Sequence, residues 1–244
     1  GIVLPTPRDV REGLAEPLQR RTATTLRQLV DDAIPDHARR VLLSEENFLG
    51  SSRLNIRRGK LYPAMEDRLR CLPDNWNSDR LEIFLSIRDY ASFFASCHST
   101  IALQGDWMAF GAEKQGAIAE LPRRWTDVVR DIRRVFPRAE MVIWRYEDLA
   151  RLGQHVMNDM VGFDFPMDFA NKGTMASLTA QGMERIRIAW EENDGEPLDT
   201  ETVRDIRKAT QDGARYDPWA PEIKAALSGA YAADWAEIQT MMRG

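Results

Sequence analysis

The residues of this chain that could hold an anion or move a proton stand just after short apolar runs. Glu82-Ile83-Phe84-Leu85-Ser86-Ile87 ends in Arg88, a helical pattern begins at once, and Ser96 follows eight residues later, about two turns along the same face. A guanidinium fork and a hydroxyl beside a helix N-terminus hold a phosphate by charge-assisted hydrogen bonds; the same pair also suits a surface ion pair and a solvated serine. Val41-Leu42-Leu43-Ser44 leads into Glu45 and Glu46. These carboxylates either take a proton from a reacting hydroxyl or amine, or pair with a nearby base such as Arg53. Met141-Val142-Ile143-Trp144-Arg145-Tyr146 leads into Glu147 and Asp148, acids that suit the positive end of a helix dipole. A polar loop, Asn171-Lys172-Gly173, adds a late cation.

The elements that must position these residues read as alternating strands and helices. Ligands of open parallel sheets sit outside the carboxyl ends of the strands, which is where these polar residues fall. Residues 41–45, 82–87 and 141–146 are expected to be strands of one parallel sheet, being apolar, β-branched or aromatic. Helical stripes lie between them: Leu26, Leu29, Val30 and Ala33; Trp125, Val128, Val129, Ile132 and Phe136, closed by Pro137; and Leu149, Leu152, Val156 and Met160, ending near Gly162. Beyond about residue 177 the pattern is helical only, over Met183 to Glu192, Thr200 to Gln211 and Ala220 to Met242. Leu227, Tyr231, Trp235 and Ile238 make one stripe of the last helix. One domain over residues 1–244 is expected, an α/β core at 1–175 and a helical tail at 176–244 packed on it.

Composition narrows the partners. The 244 residues are 43% hydrophobic, enough for a continuous core, and carry a formal net charge of −5. No overall field would draw nucleic acid or an anionic membrane, so neither is an expected partner, and an anionic ligand needs a local pocket. Cys71 and Cys97 lack CxxC spacing, and His37, His98 and His155 lack the spacing of metal ligands. No run of 18 apolar residues occurs, and the opening GIVLPTPRDVREG lacks the layout of a secretory signal, so a cytoplasmic protein is expected.

Taken in order, these motifs resemble the sulfotransferase family, its bacterial members especially, over about residues 40 to 175. The resemblance implies a three-layer P-loop-type parallel sheet flanked by helices, with a helical C-terminal third. It implies that Arg88 and Ser96 hold the 3′-phosphate of 3′-phosphoadenosine 5′-phosphosulfate, with Asn171, Lys172 and Gly173 closing over it. Glu46, or failing it Glu45, is then the base, adenosine 3′,5′-bisphosphate the product, and no metal is required. The acceptor would be a hydroxyl or amine of a small molecule or carbohydrate. Arg145-Tyr146-Glu147-Asp148-Leu149 resembles the family at a structural strand end, and Tyr90 stands where a proline often does. The family's 5′-phosphate loop is expected either before residue 1 or, in degenerate form, at Arg21-Thr22-Ala23-Thr24-Thr25. Two other readings stay open: a non-catalytic binding module on the same fold, and a P-loop kinase.

Overall fold

A computed structural model describes residues 2–3, 40–44, 47–70, 72, 80–166 and 178–243. In chain order the elements are β1 (Ile2–Val3), β2 (Arg40–Val41), α1 (Ser52–Arg58), α2 (Met65–Arg70), β3 (Glu82–Ile87) and α3 (Tyr90–Leu103). There follow α4 (Ala112–Ala119), α5 (Trp125–Val135), β4 (Glu140–Arg145), α6 (Leu149–Val161), α7 (Ala180–Glu192), α8 (Thr200–Ala209) and α9 (Pro221–Met241). The protein is mixed α/β, with far more helix than strand, and its strands pair in parallel. Among the described residues no helix is long and apolar enough to cross a membrane. Chain contacts gather into two units that interleave along the sequence: residues 1–50, 64–87 and 126–171, and residues 51–63, 88–125 and 172–244.

In the first unit β3 and β4 run parallel, in register from Glu82 opposite Glu140 to Ile87 opposite Arg145. Their apolar positions alternate with the pleat: Leu85, Ile87 and Met141 are buried, while Glu82 and Glu140 at the strand starts stay exposed. The expected strand at 41–45 is shorter. Its ladder spans only Arg40–Val41, paired with β1, and among the described residues no ladder joins this pair to β3 and β4. A side-chain tie links them instead. Arg40 Nη2 lies 3.2 Å from Glu82 Oε1, and its Nη1 donates to the carbonyls of Asp159 at 2.7 Å and Met160 at 3.0 Å. Those carbonyls end α6, where Gly162 turns left-handed at φ 78, and a helix C-terminus with unpaired carbonyls favours a cation.

The second unit is built on α3, which contacts α1, α7 and α9. It buries Tyr90, Phe94, Ile101 and Ala102 to 1% exposure or less. The helix pair α7 and α8 adds a core of Leu178, Met183, Ile186 and Val203 around Ala102. Gly105, at φ 80, accepts from Leu198 N at 2.8 Å, so the chain after α3 lies against the residues before α8. On α9 the stripe Leu227, Tyr231 and Ile238 is buried as its spacing predicts, but the fourth buried position is Asp234; Trp235 is only half-buried. A carboxylate is carried at a core position because three partners compensate it, as described below.

Candidate functional site

Arg88 leaves β3 and α3 starts two residues later, with Asp89 as its N-cap. Asp89 Oδ1 accepts from Ser92 N at 3.0 Å and its Oδ2 from Ser228 Oγ at 2.7 Å. The sequence suggests a phosphate resting on the helix N-terminus; the cap carboxylate occupies that place, so an anion here must rely on side chains. Arg88 supplies one. Its Nε donates to Ser92 Oγ at 3.2 Å, and that hydroxyl donates to Asp89 O at 3.1 Å. The guanidinium stem is thus laid along α3. Ser96 is half-buried one turn beyond Ser92, so the two serines fall on one side of α3, and Arg88 reaches Ser92 from the turn before the helix. Ser92 was not singled out from sequence, although its position four after Arg88 carried the signal.

The backbone beneath Arg88 is held by a buried polar cluster. Trp125 Nε1 donates to Arg88 O at 2.8 Å, and Trp125 N donates to the Tyr90 hydroxyl at 2.7 Å and to Asp234 Oδ2 at 3.1 Å. The Tyr90 hydroxyl donates to Asp234 Oδ2 as well. Arg124 Nη2 lies 2.6 Å from Asp234 Oδ1 as an ion pair and donates to Ala230 O at 3.1 Å. Burial, then the bond to Asp234, pushes the Tyr90 phenol far above its ordinary range, so it stays a neutral donor. Aromatic rings wall the cluster: Phe93 meets Trp125 at 5.5 Å and Tyr62 at 5.6 Å, both edge to face. Tyr62 sits at φ 38, held there by a bond from its N–H to the buried Asn55 Oδ1 at 2.9 Å.

The other titratable residues have local duties. His98 Nε2 meets Met108 O at 2.8 Å, an acceptor only, so Nε2 carries the proton and Nδ1 accepts from the Tyr216 hydroxyl at 2.7 Å. Burial lowers the His98 pKa to about 4, and the ring is neutral at pH 7. Cys97 is buried, with Asn55 Nδ2 at 3.8 Å from its sulfur. Asp148, one of the two acids expected at the helix start, is the N-cap residue of α6, but its side chain makes no cap bond and takes Arg145 Nε at 2.8 Å and Arg151 Nη2 at 3.3 Å, contacts with Arg145 foremost in holding its carboxyl below the usual range. A pair of arginines outcompetes a backbone amide for the same oxygens. Among the described residues no three His, Cys, Asp or Glu side chains gather as a metal site. Glu45, Glu46, Asn171, Lys172, Gly173, Cys71, His37 and the segment Arg21–Thr25 lie outside the described residues.

The first unit holds an open groove of about 640 Å³. Among the described residues, Glu82, Glu140, Asp159 and Asp164 line it against one cation, Arg40, which Glu82 and the α6 carbonyls already engage. It lies at the amino ends of β3 and β4, and its charge repels phosphate.

Comparison with protein-family models, with curated proteins and with solved structures gives no match for this chain.

Proposed function

We propose that this chain is a sulfotransferase-like protein that holds 3′-phosphoadenosine 5′-phosphosulfate by its 3′-phosphate, on a three-layer P-loop-type α/β fold in the cytoplasm. One observation carries the reading: Arg88 lies along α3 onto Ser92, with Ser96 one turn further on. A guanidinium followed by the Ser96 hydroxyl matches a dianionic tetrahedral group, which asks for several donors, while Ser92, whose proton goes to Asp89 O, steadies Arg88. The acidic groove at the amino ends of β3 and β4 offers no rival place for such a group.

In this reading the sulfuryl group passes in line from donor to acceptor. The new bond forms between sulfur and a hydroxyl oxygen or amine nitrogen, while the sulfur–oxygen bond to the 5′-phosphate breaks. Adenosine 3′,5′-bisphosphate leaves with that electron pair. Glu46, or Glu45, takes the acceptor's proton, and Asn171, Lys172 and Gly173 close over the 3′-phosphate beside Arg88 and Ser96. The acceptor is a small molecule or a carbohydrate. Positioning and charge compensation supply most of the rate in such a transfer.

Calorimetric titration of the chain with adenosine 3′,5′-bisphosphate, adenosine 5′-monophosphate and ATP with magnesium tests the reading. Tighter binding of the bisphosphate than of either other nucleotide, lost in Arg88→Ala, is the expected result. Preference for ATP with magnesium would point to the kinase, and binding of none of the three to a module without nucleotide chemistry.

A further inference from the structure

We propose that Trp125, Tyr90 and Asp234 are positioning residues for Arg88, a frame that fixes where its guanidinium stands and so sets selectivity for a 3′-phosphate; the inference rests on the donor-binding reading above. Three consecutive residues of the turn into α3 are each held from a distant part of the second unit. Arg88 O accepts from the Trp125 indole at 2.8 Å, Asp89 Oδ2 accepts from Ser228 Oγ at 2.7 Å, and the Tyr90 hydroxyl bonds Asp234 and Trp125 N. Trp125 is bound twice, by its backbone N to Tyr90 and Asp234 and by its side chain to Arg88, so it transmits the position of α9 to the turn.

The chemistry of the frame is what separates positioning from packing. Asp234 is wholly buried, and a buried carboxylate costs desolvation that an apolar side chain of the same volume would not. What the carboxylate adds is direction: it accepts from the Tyr90 hydroxyl and Trp125 N at one oxygen and faces Arg124 with the other. The Tyr90 hydroxyl serves both partners at once, and the Trp125 indole N–H meets Arg88 O. Arg88 then leaves a backbone bonded through its carbonyl to Trp125, and its Nε donates to Ser92. An anchor that meets a phosphate with the fork of its guanidinium gains selectivity from such preorganisation, because a small displacement lengthens both short bonds together.

The test compares wild type with Trp125→Phe, which keeps a ring but loses the indole N–H, and Tyr90→Phe, which loses only the hydroxyl. Affinities for adenosine 3′,5′-bisphosphate and for adenosine 5′-monophosphate are measured on each protein, together with the ¹⁵N–¹H signal of Arg88 Nε. The expected result is that bisphosphate binding weakens about 5- to 10-fold in each variant while monophosphate binding stays within about twofold, since Trp125→Phe removes one hydrogen bond of the frame and Tyr90→Phe two. The Arg88 Nε signal should broaden or shift. Loss of stability alone would lower both affinities together or neither, so an unchanged ratio with an unmoved Arg88 signal in both variants would overturn the proposal. If Trp125→Phe does not fold, Tyr90→Phe carries the same measurement. A wild type with no preference for the bisphosphate refutes the donor reading, and the selectivity claim falls with it. The Arg88 signal then decides separately whether the frame fixes the side chain.

Discussion

Arg124 holds Asp234 at 2.6 Å, although the carboxylate has no exposure and the guanidinium side chain is 38% exposed. The pair is asymmetric: the arginine can turn to water, the acid cannot. Asp234→Ala removes the only described acceptor common to the Tyr90 hydroxyl and Trp125 N, and should cost about 3–5 kcal/mol. Asp234→Asn keeps an acceptor and should cost less, about 1–3 kcal/mol. Urea unfolding of both variants orders them, and equal losses would show that packing rather than hydrogen bonding governs the site.

His98 should make stability depend on acidity. Its folded pKa is lowered to about 4 from an ordinary 6.5, by burial first, so the unfolded chain binds the proton more readily. Its contribution is complete above about pH 6.5 and is lost as the pH falls toward 4, with a total of roughly 3 kcal/mol. Unfolding free energies of wild type and His98→Gln should therefore converge between pH 6.5 and pH 4, and a constant difference across that window would refute the assignment of a neutral ring.

Two left-handed glycines should respond differently to alanine. At Gly105, φ 80, an added Cβ would press on the Leu198 backbone, with its carbonyl carbon at 3.0 Å, and that backbone cannot swing aside. At Gly162, φ 78, the nearest atom would be Arg40 Cζ at 3.6 Å, an ordinary contact. Gly162→Ala should cost only the left-handed conformation, about 1–2 kcal/mol, and Gly105→Ala clearly more, read as the difference in melting midpoint.

The anchor itself predicts a graded loss. Arg88→Ala should weaken adenosine 3′,5′-bisphosphate binding about 10- to 100-fold, the worth of a charge-assisted bond, and Ser96→Ala about 3- to 10-fold. Ser92→Ala should act indirectly, by removing the acceptor of the Arg88 Nε–H bond, and so cost less than Arg88→Ala. Arg88→Lys should not restore binding, because an ammonium lacks the fork. Titration calorimetry reads all four.

The parallel pair and most helices were legible because burial is periodic there. Residues 82–87 form a strand as their run predicts, the second strand starts one residue early at Glu140, and α6 ends at Val161, beside the Gly162 near which its stripe was expected to end. What escaped was set by distant partners. Ile2 and Val3 form a strand only because Arg40 and Val41 lie alongside, which no local pattern announces. Asp234 was passed over for Trp235, since a hydrophobic stripe has no place for a carboxylate until Tyr90, Arg124 and Trp125 are known to meet it. Ser92 was hidden by the eight-residue interval to Ser96, which skips the turn where the Arg88 contact is made.

The hydrogen-bonded frame around residues 88–90 also has a consequence for the order of events in synthesis. Tyr90 bonds a partner 144 positions later, and Trp125 bonds the same carboxylate across 109. While the chain grows from its N-terminus, the Tyr90 hydroxyl and Trp125 N must wait with water, or with improvised neighbours, until Asp234 in α9 has emerged. Contacts so far apart in sequence form late and carry a large closure entropy, so the anchor turn matures only once residue 234 has been made and folded back. A nascent chain stalled before residue 234 would carry Arg88 and Ser92 in their final order along the helix, yet lack the part that sets them still.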